Sequence, residues 1–144
     1  MSTKYAVGYD GSPASQRAVD FAKALAKENG ATLVLAHVLE WSPYSFLTPE
    51  EIEERHKRRG EELARAEDAV LAPVKASLAD EGISVESVIR YGHIADTLGA
   101  IAKEAGASQI FVGRDGSSAI SARVFGSVAG SLAQSAPVAC TIVP

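Results

Sequence analysis

The chain has 144 residues, of which 47% are hydrophobic and 22% are charged, and its formal net charge is -4 at pH 7. This size suits one domain with a buried core, and the negative charge argues against nonspecific binding to nucleic acid. We see no signal peptide and no apolar run near the ~20 residues of a membrane span. The one cysteine, Cys140, has no internal disulfide partner. We therefore expect a cytoplasmic protein that forms a single domain over residues 1–144.

Strand and helix patterns alternate from the start of the chain. A short apolar strand pattern, residues 4–9, ends at a turn in which Ser12 is a suitable helix N-cap and Pro13 suits the first helical turn. The helix that follows is predicted to stop at Gly30. Its apolar residues recur at helical spacing: Ala18, Phe21, Ala22, Leu25 and Ala26.

The remaining elements continue this alternation. Residues 31–39 are nearly all apolar, as a strand buried on both faces requires. Thr48 caps a long helix that we expect Pro73 to bend and Gly82 to end. Before this helix lie three aromatic residues that we interpret as a loop packed over the sheet, with a lid or a partner surface as the alternative: Trp41, Tyr44 and Phe46. Further strands are predicted at residues 83–90, 108–112 and 137–143, with helices starting near Gly92 and Gly126.

Five strands separated by crossovers predict a parallel sheet, because parallel neighbours need long, right-handed connections. With helices on both faces, the chain is expected to be an α/β, three-layer, doubly wound domain with the strand order 3-2-1-4-5. Ligands of such sheets bind beyond the carboxyl ends of the strands, where the strand order reverses. If the first and fourth strands are neighbours there, Asp10 and Gly113 face each other across one crevice.

A glycine-rich segment follows the fourth strand with the spacing Gly113-x2-Gly116-x9-Gly126-Ser127. Glycines let backbone amides approach a phosphate closely, and a helix N-terminus adds free amides and a favourable dipole. The alternative is that these glycines only serve turns. The third glycine and its serine at a helix start favour a phosphate-binding segment.

This spacing resembles the ATP-binding signature of the universal stress protein family. Residues 5–12, 35–38, 91–95 and 136–143 resemble further family segments in the same order, so the resemblance covers essentially the whole chain. It implies a stress-response or signalling module that binds ATP, or ADP or AMP, with Mg²⁺ accompanying the nucleotide. It also implies a homodimer joined through the C-terminal strand and a signalling partner of unknown identity.

The resemblance also implies the residues of the site. Asp10 and Tyr9 would lie beside the adenosine, and the backbone of Val38 beside the adenine. The nucleotide-binding residues implied in this way are Tyr9, Asp10, Val38, Val112, Gly113, Arg114, Gly116, Gly126, Ser127, Val128 and Ala129.

Three positions depart from the family pattern, at Arg114, Asp115 and Ala129. A carboxylate at Asp115 repels a triphosphate unless it points away or a divalent cation intervenes. Ala129 lacks a hydroxyl donor worth ~1 kcal/mol. Arg114 or Arg123 compensates if its side chain reaches the phosphates. The sequence therefore leaves nucleotide affinity and phosphate preference open.

No Walker lysine-serine pair follows Gly116, and no paired carboxylates stand at metal-ligand spacing beside the glycine-rich segment, where Asp10 and Asp115 are the only nearby acids. We accordingly predict no catalytic residue and no metal site, although the resemblance leaves slow ATP hydrolysis or self-phosphorylation open. We interpret His37 as a packed or hydrogen-bonded side chain, His93 as part of a helix start and His56 as part of a solvated, charged helix face. Two alternative functions remain, a nucleotide-free dimeric interaction protein of the same fold and a weak ATPase.

Overall fold

The computed structural model describes residues 3–40, 48–115 and 127–144. Several predicted features lie outside these residues: Trp41, Tyr44, Phe46, Gly116, Arg123 and Gly126. Within them, strands and helices alternate as the sequence predicts. The elements are β1 (Lys4–Gly8), α1 (Pro13–Asn29), β2 (Thr32–Glu40), α2 (Pro49–Arg65), a π-helical segment (Ala66–Leu71), α3 (Ala72–Asp80), β3 (Val85–Gly92), α4 (Ile94–Ala105), β4 (Gln109–Gly113), α5 (Ser127–Ser135) and β5 (Ala139–Val143).

The five strands form one parallel sheet in the order β3-β2-β1-β4-β5, which confirms the predicted topology. Val7 at the centre of β1 pairs with Leu35 on one side and with Phe111 on the other. The chain adds strands in one direction from β1 to β3 and then returns to β4 on the other side of β1. The carboxyl ends of β1 and β4 therefore lie side by side at the point where the order reverses.

Successive strand residues point to opposite faces of the sheet, and helices cover both faces. Val7, Leu35 and Phe111 are fully buried on the face covered by α1, the π-helical segment and α3. Ala6, Val34 and Ile110 are buried on the other face, beneath α4 and α5. The core thus consists of two apolar layers separated by the sheet, as a doubly wound fold requires.

Helix α1 begins and ends where the sequence predicts. The Ser12 hydroxyl caps the helix by accepting a hydrogen bond from the Ser15 amide at 3.1 Å, and Gly30 closes it in the left-handed conformation with φ 67°. Phe21 differs from the expected apolar stripe because it is 48% exposed. Phe21 lies one residue before the buried Ala22, so it projects from the margin of the apolar stripe. Its ring still packs on that of Phe111, with the two ring centroids 6.0 Å apart.

The long helix is interrupted before Pro73 rather than bent at it. Residues Ala66–Leu71 form a π-helical segment, and the Ala72 amide bonds to the Glu67 carbonyl five residues back. Proline lacks an amide hydrogen and its ring crowds the carbonyl four residues earlier, so a wider turn relieves the strain. Leu71 is fully buried in this segment, whereas no residue of α2 is buried.

Tyr91 of β3 ties α2 to the sheet. Its hydroxyl donates to a Glu62 carboxylate oxygen at 2.7 Å, and the Arg59 guanidinium lies 5.0 Å from its ring centroid. Burial and the bond to Glu62 raise the pKa of Tyr91 to about 12, so it stays a neutral donor.

None of the helices in the described ranges has the length and apolar content that a membrane crossing requires.

The fully buried position of Leu71 makes it a test of how far the interrupted helix contributes to stability. Leu71→Ala is expected to lower the free energy of unfolding by about 2–5 kcal/mol, because a cavity replaces the side chain. Urea unfolding measures the change. Ile52→Ala on α2 is the control, because Ile52 is 43% exposed and its truncation should cost under ~0.5 kcal/mol. Equal losses in the two variants would contradict this account.

Candidate functional site

The predicted site residues that the structure describes lie along the carboxyl edge of three adjacent strands. Tyr9 and Asp10 follow β1, Val38 lies near the end of β2, and Gly113 ends β4. Because β2, β1 and β4 are neighbours, this edge brings together residues that are far apart in sequence. Ser127 begins α5, as predicted, and is exposed.

Asp10 organises the turn between β1 and α1. Its Oδ1 accepts hydrogen bonds from the Ser12 amide and from the Ser15 hydroxyl, each at 2.9 Å. Burial alone would raise the pKa of Asp10, but the hydrogen bonds from Ser12 and Ser15 and the nearby His37 outweigh it and hold the pKa below its ordinary value. Asp10 is therefore a fixed carboxylate at neutral pH.

His37 supports the same turn from β2. Its side chain is buried, and its Nδ1 lies 2.7 Å from the Tyr9 carbonyl oxygen. Since a carbonyl oxygen can only accept, Nδ1 carries the hydrogen. This contact confirms the interpretation of His37 as a hydrogen-bonded side chain.

Tyr9 follows β1 and precedes Asp10. Burial, followed by the charges of Asp10 and Asp20, raises the pKa of Tyr9, and its hydroxyl donates a hydrogen bond to the Gln16 side chain at 3.3 Å.

Gly113 is packed against the first turn of α1. A Cβ atom at Gly113 would lie 2.7 Å from the carbonyl oxygen of Ala14 and 2.9 Å from its Cβ. No residue other than glycine fits there without moving backbone. Glycine at this position is thus required by packing, whether or not a ligand binds.

Asp115 faces α1 instead of open solvent. Its Oδ2 lies 3.7 Å from Nη2 of Arg17, and its Oδ1 lies 3.9 Å from Nε of Arg114. The Arg114 amide donates to the Val143 carbonyl at 2.8 Å, which extends the pairing of β4 with β5. The Asp115 carboxylate, which was expected to lie beside a phosphate, is therefore balanced by the guanidinium groups of Arg17 and Arg114.

The side chains of Val112 and Ala129 belong to the apolar layer beneath α4 and α5, with exposures of 4% and 1%. For these two residues, only backbone atoms are available to a ligand. The Ala129 side chain therefore packs in the core, and its expected effect on phosphate binding stays a prediction. Val38 and Val128 are partly buried against the same layer.

Two residues that the sequence did not single out for the site contribute to it. Ser15 bonds to Asp10, and the pattern of an aspartate followed by serines two and five residues later indicates such a turn. Arg17 meets Asp115 only through the tertiary fold, so no local pattern could reveal it. In the part of the chain that the structure describes, no three His, Cys, Asp or Glu residues are grouped to hold a metal ion.

The fold and the site define a doubly wound α/β domain with its candidate binding edge at the strand reversal. The model of the universal stress protein family matches residues 1–144, and the chain belongs to this family. It is 31% identical to the universal stress protein YxiE of Bacillus subtilis over 147 aligned positions, covering 93% of each chain.

Solved structures share the fold. Universal stress protein UspA from Lactobacillus plantarum has a TM-score of 0.84 and 26% identity, with 99% of this chain and 97% of that chain covered. The universal stress protein from Archaeoglobus fulgidus in complex with dAMP has a TM-score of 0.66 and 20% identity, with 100% and 98% covered.

The bonds to Asp10 predict an acid-dependent contribution to stability. Asp10→Ala should lower the free energy of unfolding at neutral pH by ~0.5–1.5 kcal/mol, because the Ser12 amide and the Ser15 hydroxyl lose the Asp10 carboxylate as an acceptor. Asp10→Asn keeps an acceptor and isolates the effect of charge. Since the folded-state pKa lies below the unfolded value of ~3.9, the stabilisation by the charge is present above that pH and is lost as pH falls through the folded pKa.

The measurement is urea unfolding of wild type, Asp10→Ala and Asp10→Asn across an acid pH series. The stability difference between wild type and Asp10→Asn should close as the solution is acidified. Asp20→Asn, on the exposed side of α1, is the control for a general charge effect. A difference for Asp10→Asn that persists unchanged into strong acid would contradict the assigned pKa direction.

Proposed function

We propose that the chain is an adenine-nucleotide-binding universal stress protein whose favoured ligand is ATP. The observation that carries this proposal is the alignment of Asp10, Val38 and Gly113 along the carboxyl edge at the strand reversal. The dAMP complex of the Archaeoglobus fulgidus relative supports an adenine nucleotide as the ligand class. Residues 1–144 would form one domain that works in the cytoplasm as a dimeric stress-response module, with ADP and AMP as alternative ligands.

The nucleoside half of the ligand would lie over β1, β2 and the end of β4. Both hydrogen bonds described for Asp10 use Oδ1, which leaves Oδ2 to accept from ribose hydroxyls. Backbone groups of Val38 would border the adenine, and those of Val112 and Gly113 the nucleoside. Tyr9 stays protonated at neutral pH, so it adds no second negative charge beside the nucleotide.

The phosphates would lie between the end of β4 and the start of α5. A nine-residue helix begins at Ser127, and its first amides, including those of Val128 and Ala129, are suited to an anion. Gly116 and Gly126 lie outside the described residues, so their roles stay predictions. Because Asp115 already faces two arginines, Mg²⁺ would arrive with the nucleotide and be held mainly by phosphate and water oxygens.

Nucleotide binding predicts a thermal shift that depends on the phosphate segment. ATP with Mg²⁺ at ~100 times its Kd contributes ~2.7 kcal/mol, which corresponds to a rise in Tm of roughly 5–10 °C for a domain of this size. Gly116→Val and Gly126→Val are expected to abolish the shift. Gly60→Val on α2 is the matched control, since a Cβ there meets open space. Gly113 is unsuitable for substitution because any side chain collides with Ala14.

The alternatives give different outcomes in the same experiment. A nucleotide-free interaction protein shows no shift with ATP, ADP or AMP and co-purifies with no nucleotide by mass spectrometry, and this result would overturn the proposal. A weak ATPase shows the shift and also releases phosphate in a manner that the Gly116 and Gly126 variants abolish.

The proposed dimer would form through β5. This strand pairs only with β4 in the described sheet, so its outer edge is open to a strand from a second copy. Cys140 and Ile142 are partly buried against the layer beneath α5 and lie beside this edge. Burial raises the pKa of the Cys140 thiol, which makes it an uncharged packing group.

A charge on this edge should separate the dimer. Ala139→Lys places an ammonium group at the exposed start of β5, and light scattering coupled to size exclusion is expected to show a monomer. Ala79→Lys makes the same change on an exposed position of α3 and should leave the dimer intact. A monomeric wild type, or a dimeric Ala139→Lys, would contradict this assembly.

A further inference from the structure

A cluster of three charged residues lies where α1 meets the carboxyl ends of β4 and β5. One carboxylate, that of Asp115, is shared by the guanidinium groups of Arg17 and Arg114 at 3.7 and 3.9 Å. Nε of Arg17 also donates a hydrogen bond to the backbone oxygen of Pro144 at 3.2 Å. The carboxylate therefore faces, on the α1 side, an arginine that has a second contact of its own.

The contact between Asp115 and Arg114 is of a kind that a phosphate can displace. At 3.9 Å it is an ion pair without a hydrogen bond, and the Arg114 side chain is 54% exposed. Phosphate oxygens carry more negative charge than one carboxylate, and they accept paired hydrogen bonds from a guanidinium group. The Asp115 side chain is only 26% exposed, so the arginine is the partner with more freedom to turn outward.

This inference rests on the proposed function and deepens it. We propose that Asp115 sets the phosphate preference of the nucleotide site by competing with the nucleotide phosphates for the guanidinium group of Arg114. Arg17 keeps Asp115 in the competing position. The β- and γ-phosphates of ATP gain from Arg114, but the cost of drawing this arginine away from Asp115 reduces that gain. The site therefore distinguishes ATP from AMP less strongly than an arginine free of this carboxylate would.

The test compares AMP, ADP and ATP, each with and without Mg²⁺, by isothermal titration calorimetry on the full chain. Asp115→Asn should raise the ratio of the AMP Kd to the ATP Kd roughly 2- to 5-fold, the range of an exposed ion pair. The AMP Kd should change less than the ATP Kd, because AMP lacks the β- and γ-phosphates that compete with Asp115 for Arg114. Asp115→Glu should restore the wild-type ratio. Asp80→Asn, an equal charge change on the exposed end of α3, should leave the ratio unchanged.

The same substitution made in a protein that lacks Arg114 separates competition for Arg114 from direct repulsion between Asp115 and the nucleotide phosphates. In Arg114→Gln protein, the gain from Asp115→Asn should fall by at least half, because no guanidinium group remains to be released. An equal gain with and without Arg114, or an unchanged ratio in Asp115→Asn, overturns this inference while nucleotide binding stands. A wild-type protein that binds none of the three nucleotides overturns the proposed function, and this inference with it.

Discussion

The close packing of α1 on the end of β4 fixes the geometry on which the candidate site depends. Gly113 and Ala14 approach so closely that a side chain at Gly113 would overlap the helix backbone. Because α1 starts at the turn that follows β1, this contact holds the Asp10 turn beside the end of β4. Gly113 resembles a ligand-binding glycine, and it is also required for packing. The two roles are compatible, because the candidate site needs both the end of β4 and the start of α1 in place.

The electrostatics of this edge follow from where its two acids are held. Asp10 receives hydrogen bonds from Ser12 and Ser15, and Asp115 faces Arg17 and Arg114. Asp10 is stabilised by hydrogen bonds and Asp115 by two positive charges of the protein itself, so neither carboxylate is left to repel an anion unopposed. The edge at which we propose that a negatively charged ligand binds therefore has both of these acids balanced by the protein.

Most of the fold could be predicted from the sequence, because each element carries a local signal. The Ser12 cap, the apolar run of β2 and the glycine at position 30 mark element type and ends, and alternation then favours a parallel sheet. Strand starts carry a weaker local signal than helix ends. The strand expected from residue 83 begins at Val85, because the Ile83 amide still bonds to the Leu78 carbonyl at the end of α3.

The parts of the site that escaped prediction are those decided by tertiary contacts. Arg17 and Asp115 belong to different elements, and only the neighbouring positions of α1 and β4 bring them together. Helix rotation likewise decides that Ala129 faces the core, which spacing from Gly126 could not establish. The sequence identified Asp115 as an unusual residue near the predicted phosphate segment, but its surroundings depend on Arg17, which α1 supplies. Under the proposed function, phosphate preference would therefore depend on the packed sheet edge, and the glycine spacing alone could not predict it.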